Sequence, residues 1–166
     1  RGSGGPSLSP ASLLNLPSGT RLVLPSPNGA TLCALVREVG GVEVYAACLR
    51  NAAAVGEFLW GRHERILVVP AGERWPDGSL RPALEDLLGA GAVVGALGRS
   101  PSPEAQAAGL VFEGMRARLT EVLNACASGR ELIERGFEDD VALAAELGVS
   151  RAVPVLRGGA FRDAVG

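Results

Sequence analysis

The sequence predicts an α/β fold: a mostly parallel sheet with flanking helices and a helical C-terminal part. Three observations predict it. Short apolar runs bounded by turn residues recur along the first half of the chain. Segments of helical hydrophobic period stand between them, the alternation expected of strand–helix–strand units. From Ser102 onward the start and stop signals are mainly those of helices.

The elements follow in order. Residues 1–6, beginning RGSGG, read as a flexible linker or tag remnant, and residues 7–166 as a single α/β domain. Ser9-Pro10 opens a short helical turn that Pro17-Ser18-Gly19 ends. Arg21 to Pro25 is the first predicted strand. Ala30 to Val39 is a helix with Leu32, Leu35, Val36 and Val39 on one face. Val42 to Cys48 is the second strand. Ala52 to Gly61 is a helix turning Ala52, Val55, Phe58 and Leu59 inward. Arg65 to Val69 is the third strand, and Leu80 to Leu97 a helix with a buried stripe of Leu84, Leu87 and Leu88. Ser102-Pro103-Glu104 caps a long helix to about Cys126. Ser128 to Glu131 has the spacing of a capping box, Gly136 interrupts, and Glu138 to Leu147 is the last helix. Ala152 to Leu156 is a final strand before a Gly158-Gly159 turn.

Composition narrows the function. At 47% hydrophobic and 20% charged residues, the chain can bury a real core. A formal net charge of −2 and 4% aromatic residues argue against a nucleic-acid partner, which needs cationic surface and stacking platforms. The apolar stretch Leu87 to Gly98 is too short and glycine-rich to span a bilayer. Cys33, Cys48 and Cys126 form no CxxC pair and His63 is the single histidine, so a Cys/His zinc site is not expected. An odd cysteine count without a signal peptide suits the cytoplasm. His63, in a charged connection, is expected to be solvated, and Trp75 to shape a pocket.

Ligands of an open parallel sheet bind outside the carboxyl ends of its strands. Here the three strands run into Ser26-Pro27-Asn28-Gly29, Arg50-Asn51 and Ala71-Gly72-Glu73-Arg74. These segments supply hydroxyl, amide, guanidinium and carboxylate groups, and two lead into helix N-termini suited to an anion. Each is also an ordinary turn or cap. Glu85-Asp86, near the start of the third helix, offers hard oxygen ligands of the kind Mg²⁺ takes; a solvated acidic helix surface is the plainer explanation.

These segments resemble the 2-phosphosulfolactate phosphatase family of coenzyme M biosynthesis. Ser26-Pro27-Asn28-Gly29-Ala30 resembles its Asn-Gly-Thr turn, and Cys48 to Ala53 its strand-to-helix Leu-Asn-Ala step. Ala71 to Asp86 with Gly89 to Ala92 is similar to its Ala-Gly loop, Glu-Asp pair and Ala-Gly-Ala helix. Ser128 to Leu132, Gly136 to Val141 and Val153-Pro154 match its C-terminal pattern. The likeness runs from about Ser7 onward and corresponds to the C-terminal two-thirds of the family. The family's N-terminal Asp-x-x-Arg-Ala-Thr-like motif is not among these residues, so this chain alone is expected to turn over poorly.

The resemblance implies Mg²⁺-dependent hydrolysis of 2-phospho-3-sulfolactate to 3-sulfolactate and phosphate. Glu85, Asp86 and Glu73 are the expected catalytic residues, with Glu85 and Asp86 serving the metal. Ser26, Asn28, Gly29, Arg50, Asn51, Gly72 and Arg74 are expected to bind a small anionic phosphoester. A homo-oligomer is compatible with this reading. The alternatives are a non-catalytic anion-binding or assembly module related to the family, and a hydrolase of another small phosphoester.

Overall fold

Helix signals in the sequence act where they are strongest. In the computed structural model, which describes residues 6–26 and 28–165, α1 spans Gly29–Val39, α2 Ala52–Leu59, α3 Leu84–Ala96 and α4 Pro103–Met115. After a 3-10 turn at Arg116–Arg118 come α5 (Leu119–Ala125), α6 (Ala127–Glu134) and α7 (Glu138–Ala144). The Ser102 hydroxyl accepts from the Ala105 amide at 3.3 Å with Pro103 in the first turn of α4, as the local sequence dictates. The N-terminal cap of α6 is Cys126 rather than Ser128: its Sγ accepts from the Gly129 amide at 3.4 Å. Helix α3 starts later than its hydrophobic period predicts. Arg81 precedes Pro82, and the proline ring disfavours helical backbone there; Leu80–Arg81 is a strand instead.

The expected mostly parallel α/β sheet does not form. The described residues contain two separate antiparallel hairpins, β1 (Glu73–Arg74) with β2 (Leu80–Arg81), and β3 (Pro154–Arg157) with β4 (Ala160–Asp163). Of the three predicted parallel strands, Arg21 to Pro25 is exposed and lies outside any strand, with Val23 91% exposed. Arg65 to Val69 keeps strand-like alternation, Ile66 and Val68 packing inward while Leu67 and Val69 face out. It joins no ladder among the described residues. Only Val42 to Cys48 pairs, and it does so antiparallel: Tyr45 bridges Val155, the Ala46 amide donates to Pro154 O at 3.0 Å and the Leu156 amide to Val44 O at 2.8 Å. Parallel strands need both faces covered, and the outward residues here stay uncovered. The predicted Gly158-Gly159 turn does form, with φ of 58° and 80°.

The core is therefore built by helices. Leu49, Val55, Leu59, Leu88, Val93, Phe112, Leu119, Leu123, Val141 and Val153 form one buried cluster drawn mainly from α2, α3, α4, α5 and α7. Close approach depends on small residues. A Cβ on Gly91 of α3 would collide with the Ala108 carbonyl and lie 2.7 Å from the Phe112 Cβ of α4; one on Gly56 of α2 would collide with Ala96. Buried Asp140 ties the N-terminal turn (Pro10–Leu13) to α7: its Oδ1 accepts from the Ser9 hydroxyl at 2.7 Å and the Ala11 amide at 2.9 Å. Among the described residues no helix is long and apolar enough to cross a membrane.

Candidate active site

The β1–β2 hairpin and the first turn of α3 hold the acidic residues singled out in the sequence. Glu73 lies in β1, and Glu85 and Asp86 in the first turn of α3. Pro82 and Ala83 join the two elements, so the hairpin delivers the chain directly into the helix. Gly72, with φ of +71°, occupies the left-handed region, and a side chain there would lie 2.9 Å from Leu80 Cδ1. Its amide donates to Asp86 Oδ2 at 2.7 Å. From the other side, Asn28 at the N-terminus of α1 donates through Nδ2 to Glu73 Oε2 at 2.9 Å. Ser26 and Gly29 adjoin this contact: a Cβ on Gly29 would lie 3.7 Å from the Ser26 hydroxyl. Pro27 lies outside the described residues.

The electrostatics concentrate on Asp86. Burial raises its carboxyl above the ordinary aspartate range; the Gly72 amide opposes that rise, while the charges of Glu85 and Glu73 add to it. Cys126, at the junction of α5 and α6, lies with Sγ 3.7 Å from Glu85 Oε2. Its thiol is also pushed up, first by burial and further by Glu85, against the hydrogen bond from Gly129.

Other expected binding residues have different partners. Asn51 is buried, and its side chain is used by the backbone: Oδ1 accepts from the Cys48 amide at 2.8 Å, and Nδ2 donates to Ala46 O at 3.3 Å and Ala152 O at 3.1 Å. Arg50 pairs with Glu146 and donates to Leu143 O at 3.0 Å. Arg74 is exposed, with Nη1 on Gly78 O at 2.9 Å. The structure thus brings Asn28, Gly72, Glu73 and Asp86 together, while Arg50 and Asn51 secure the segment before α2 to the C-terminal part.

Sequence reading gave Arg81, Glu131 and Cys126 no part in the site. The Arg81 guanidinium is buried and forks onto Glu131, with Nη1–Oε1 at 2.9 Å and Nη2–Oε2 at 3.2 Å. Trp75 covers it, its ring centroid 5.4 Å away. The pair holds the hairpin to α6, an arrangement with no local sequence signal. Glu131, read as the end of a capping box, is the partner of this arginine instead.

The donor chemistry around Asp86 is compatible with a hard divalent cation, since Glu73, Glu85 and Asp86 are all oxygen donors and Mg²⁺ needs only one or two carboxylates beside water. Among the described residues no set of three His, Cys, Asp or Glu side chains forms a metal cage.

The 2-phosphosulpholactate phosphatase family model matches residues 7–159. The chain belongs to this family. Proteins named probable 2-phosphosulfolactate phosphatase are similar to it. The one from Thermotoga maritima is 33% identical over 145 residues, covering 87% of this chain and 60% of the relative. That from Gloeobacter violaceus is 30% identical, covering 82% and 56%, and that from Symbiobacterium thermophilum 30% identical, covering 85% and 60%. This 2-phosphosulpholactate phosphatase family chain thus spans somewhat over half the length of the relatives it matches.

Proposed function

We propose that this chain contributes to Mg²⁺-dependent hydrolysis of 2-phospho-3-sulfolactate to 3-sulfolactate and phosphate, within coenzyme M biosynthesis. The observation that carries the reading is the meeting of Asn28 with Glu73 and of Gly72 with Asp86 at the start of α3. Family membership supports this choice of substrate class. Glu85 and Asp86, with Glu73 nearby, would hold Mg²⁺, which when bound neutralises phosphate charge and favours a water nucleophile. The Asn28 amide positions Glu73, and the Gly72 amide positions Asp86. The backbone of Gly29 and the hydroxyl of Ser26 stand beside Asn28 as donors for the dianion. Arg74, exposed at the hairpin, keeps donors beyond the one on Gly78 for phosphate or sulfonate.

A second reading is a non-catalytic anion-binding or assembly module. It is favoured by Arg50 and Asn51, both of which serve structural bonds. Phosphate release from 2-phospho-3-sulfolactate by the folded chain, with and without Mg²⁺, decides between them. Slow release above the buffer rate that requires Mg²⁺ is expected. A folded chain that binds the product anion yet releases no phosphate would favour the module.

A further inference from the structure

A second cluster of charged and aromatic groups shares no residue with the site above. Glu43, Tyr45, Phe58, Arg62, His63 and Arg157 line a cavity of about 360 Å³. Tyr45 is its centre. Its ring lies 6.0 Å from Phe58 and 6.0 Å from His63, and its hydroxyl donates to Glu43 Oε2 at 3.3 Å. His63 Nε2 lies 3.4 Å from that same carboxylate oxygen, so the one acidic group of the cavity already has two partners.

The two arginines are differently placed. Arg62 lies over the Phe58 ring at 4.2 Å, which fixes its guanidinium plane while leaving its N–H edge open to a ligand. Arg157 comes from the end of β3, far away in sequence. Both bear on Tyr45, their charges opposing the upward push on its phenol from burial and Glu43. Neither has an acidic partner among the ion pairs of the described residues.

We propose that Arg62 and Arg157 form a binding site for a small oxyanion of the phosphate or sulfate class, floored by Tyr45 and Phe58. Two guanidiniums against a single, already engaged carboxylate leave net positive charge. Planar guanidinium forks match tetrahedral oxyanions through paired N–H donors. The aromatic floor keeps water from one side, which strengthens such bonds. The stacking of Arg62 on Phe58 also reduces the ordering that binding would otherwise demand.

Amide NMR titration of the full chain with inorganic phosphate, and separately with sulfate, tests the proposal. Both anions should shift Tyr45, Arg62, His63 and Arg157 with saturation. Arg62→Gln and Arg157→Gln should each weaken that event about tenfold, the loss of one charged hydrogen-bonding partner. Glu43→Gln should tighten it severalfold, a gain that misfolding cannot imitate. No saturable shift at these residues would overturn the site. So would shifts confined to Asn28, Gly72 and their neighbours, or arginine variants that bind as the wild type does.

Discussion

Asn28 Nδ2 donates to Glu73 Oε2 across 2.9 Å, joining the N-terminus of α1 to the β1–β2 hairpin. The bond leaves the other Glu73 oxygen for a cation or a water. Replacing Asn28 by alanine frees the carboxylate to rotate. Outer partners of catalytic or metal-binding groups typically matter by about 10–100-fold, so phosphate release by Asn28→Ala should fall by that order while circular dichroism stays unchanged. Wild-type rates in this variant would remove Glu73 orientation from the account.

The second prediction concerns the strain of charge around Asp86. Burial, aided by Glu85 and Glu73 and opposed by the Gly72 amide, raises its pKa in the folded protein. A raised carboxyl contributes stability below the unfolded aspartate range, roughly pH 4, and that contribution is lost as pH rises through the folded value. Asp86→Asn retains an oxygen for the Gly72 amide and removes the charge. Its melting temperature at neutral pH in metal-free buffer should equal or exceed that of wild type, the difference closing as pH falls towards the ordinary carboxylate range. A variant clearly less stable at neutral pH would contradict this.

The third uses two glycines of one helix. Gly91 faces the Ala108 carbonyl and Phe112 of α4, whereas nothing lies within 4 Å of a Cβ on Gly95. Gly91→Ala should lose about 1–3 kcal/mol through overpacking. Gly95→Ala should gain about 0.5–1 kcal/mol from helix propensity. Urea unfolding of both variants measures this. Equal effects would mean that α3 and α4 are not held this closely.

Asn51 separates a structural from a ligand-binding role. Its three side-chain bonds go to the backbone of Cys48, Ala46 and Ala152. Asn51→Ala should reduce unfolding free energy by about 2–3 kcal/mol while the folded fraction binds product anion as before. Undiminished stability together with lost anion binding would return Asn51 to the ligand.

Much of the helical framework was legible in the sequence. The periodicity of Ala52 to Leu59 and the Ser102-Pro103 cap are local signals, and they act locally in the structure. The sheet was not legible, because a short apolar run such as Arg65 to Val69 states which side chains face inward but not which strand lies beside it. Ile66 and Val68 do face the core, yet the run joins no ladder among the described residues. The antiparallel contact of Tyr45 with Val155 depends on residues far apart in the chain. For the site, the loop from Gly72 to Asp86 was visible because its elements are consecutive. The Arg81–Glu131 fork, 50 residues apart, and the Cys126–Glu85 contact, 41 apart, carry no local pattern.

The central claim is that Glu85 and Asp86 serve the metal in phosphoester hydrolysis. Its most direct test is the Mg²⁺ dependence of phosphate release from 2-phospho-3-sulfolactate by the wild type, Glu85→Gln and Asp86→Asn, with folding checked in each. The account predicts that Asp86→Asn, by removing one of the one or two carboxylates that Mg²⁺ takes, needs at least about tenfold more Mg²⁺ for half-maximal release, with Glu85→Gln affected in the same direction. Identical Mg²⁺ dependence in all three proteins would contradict it.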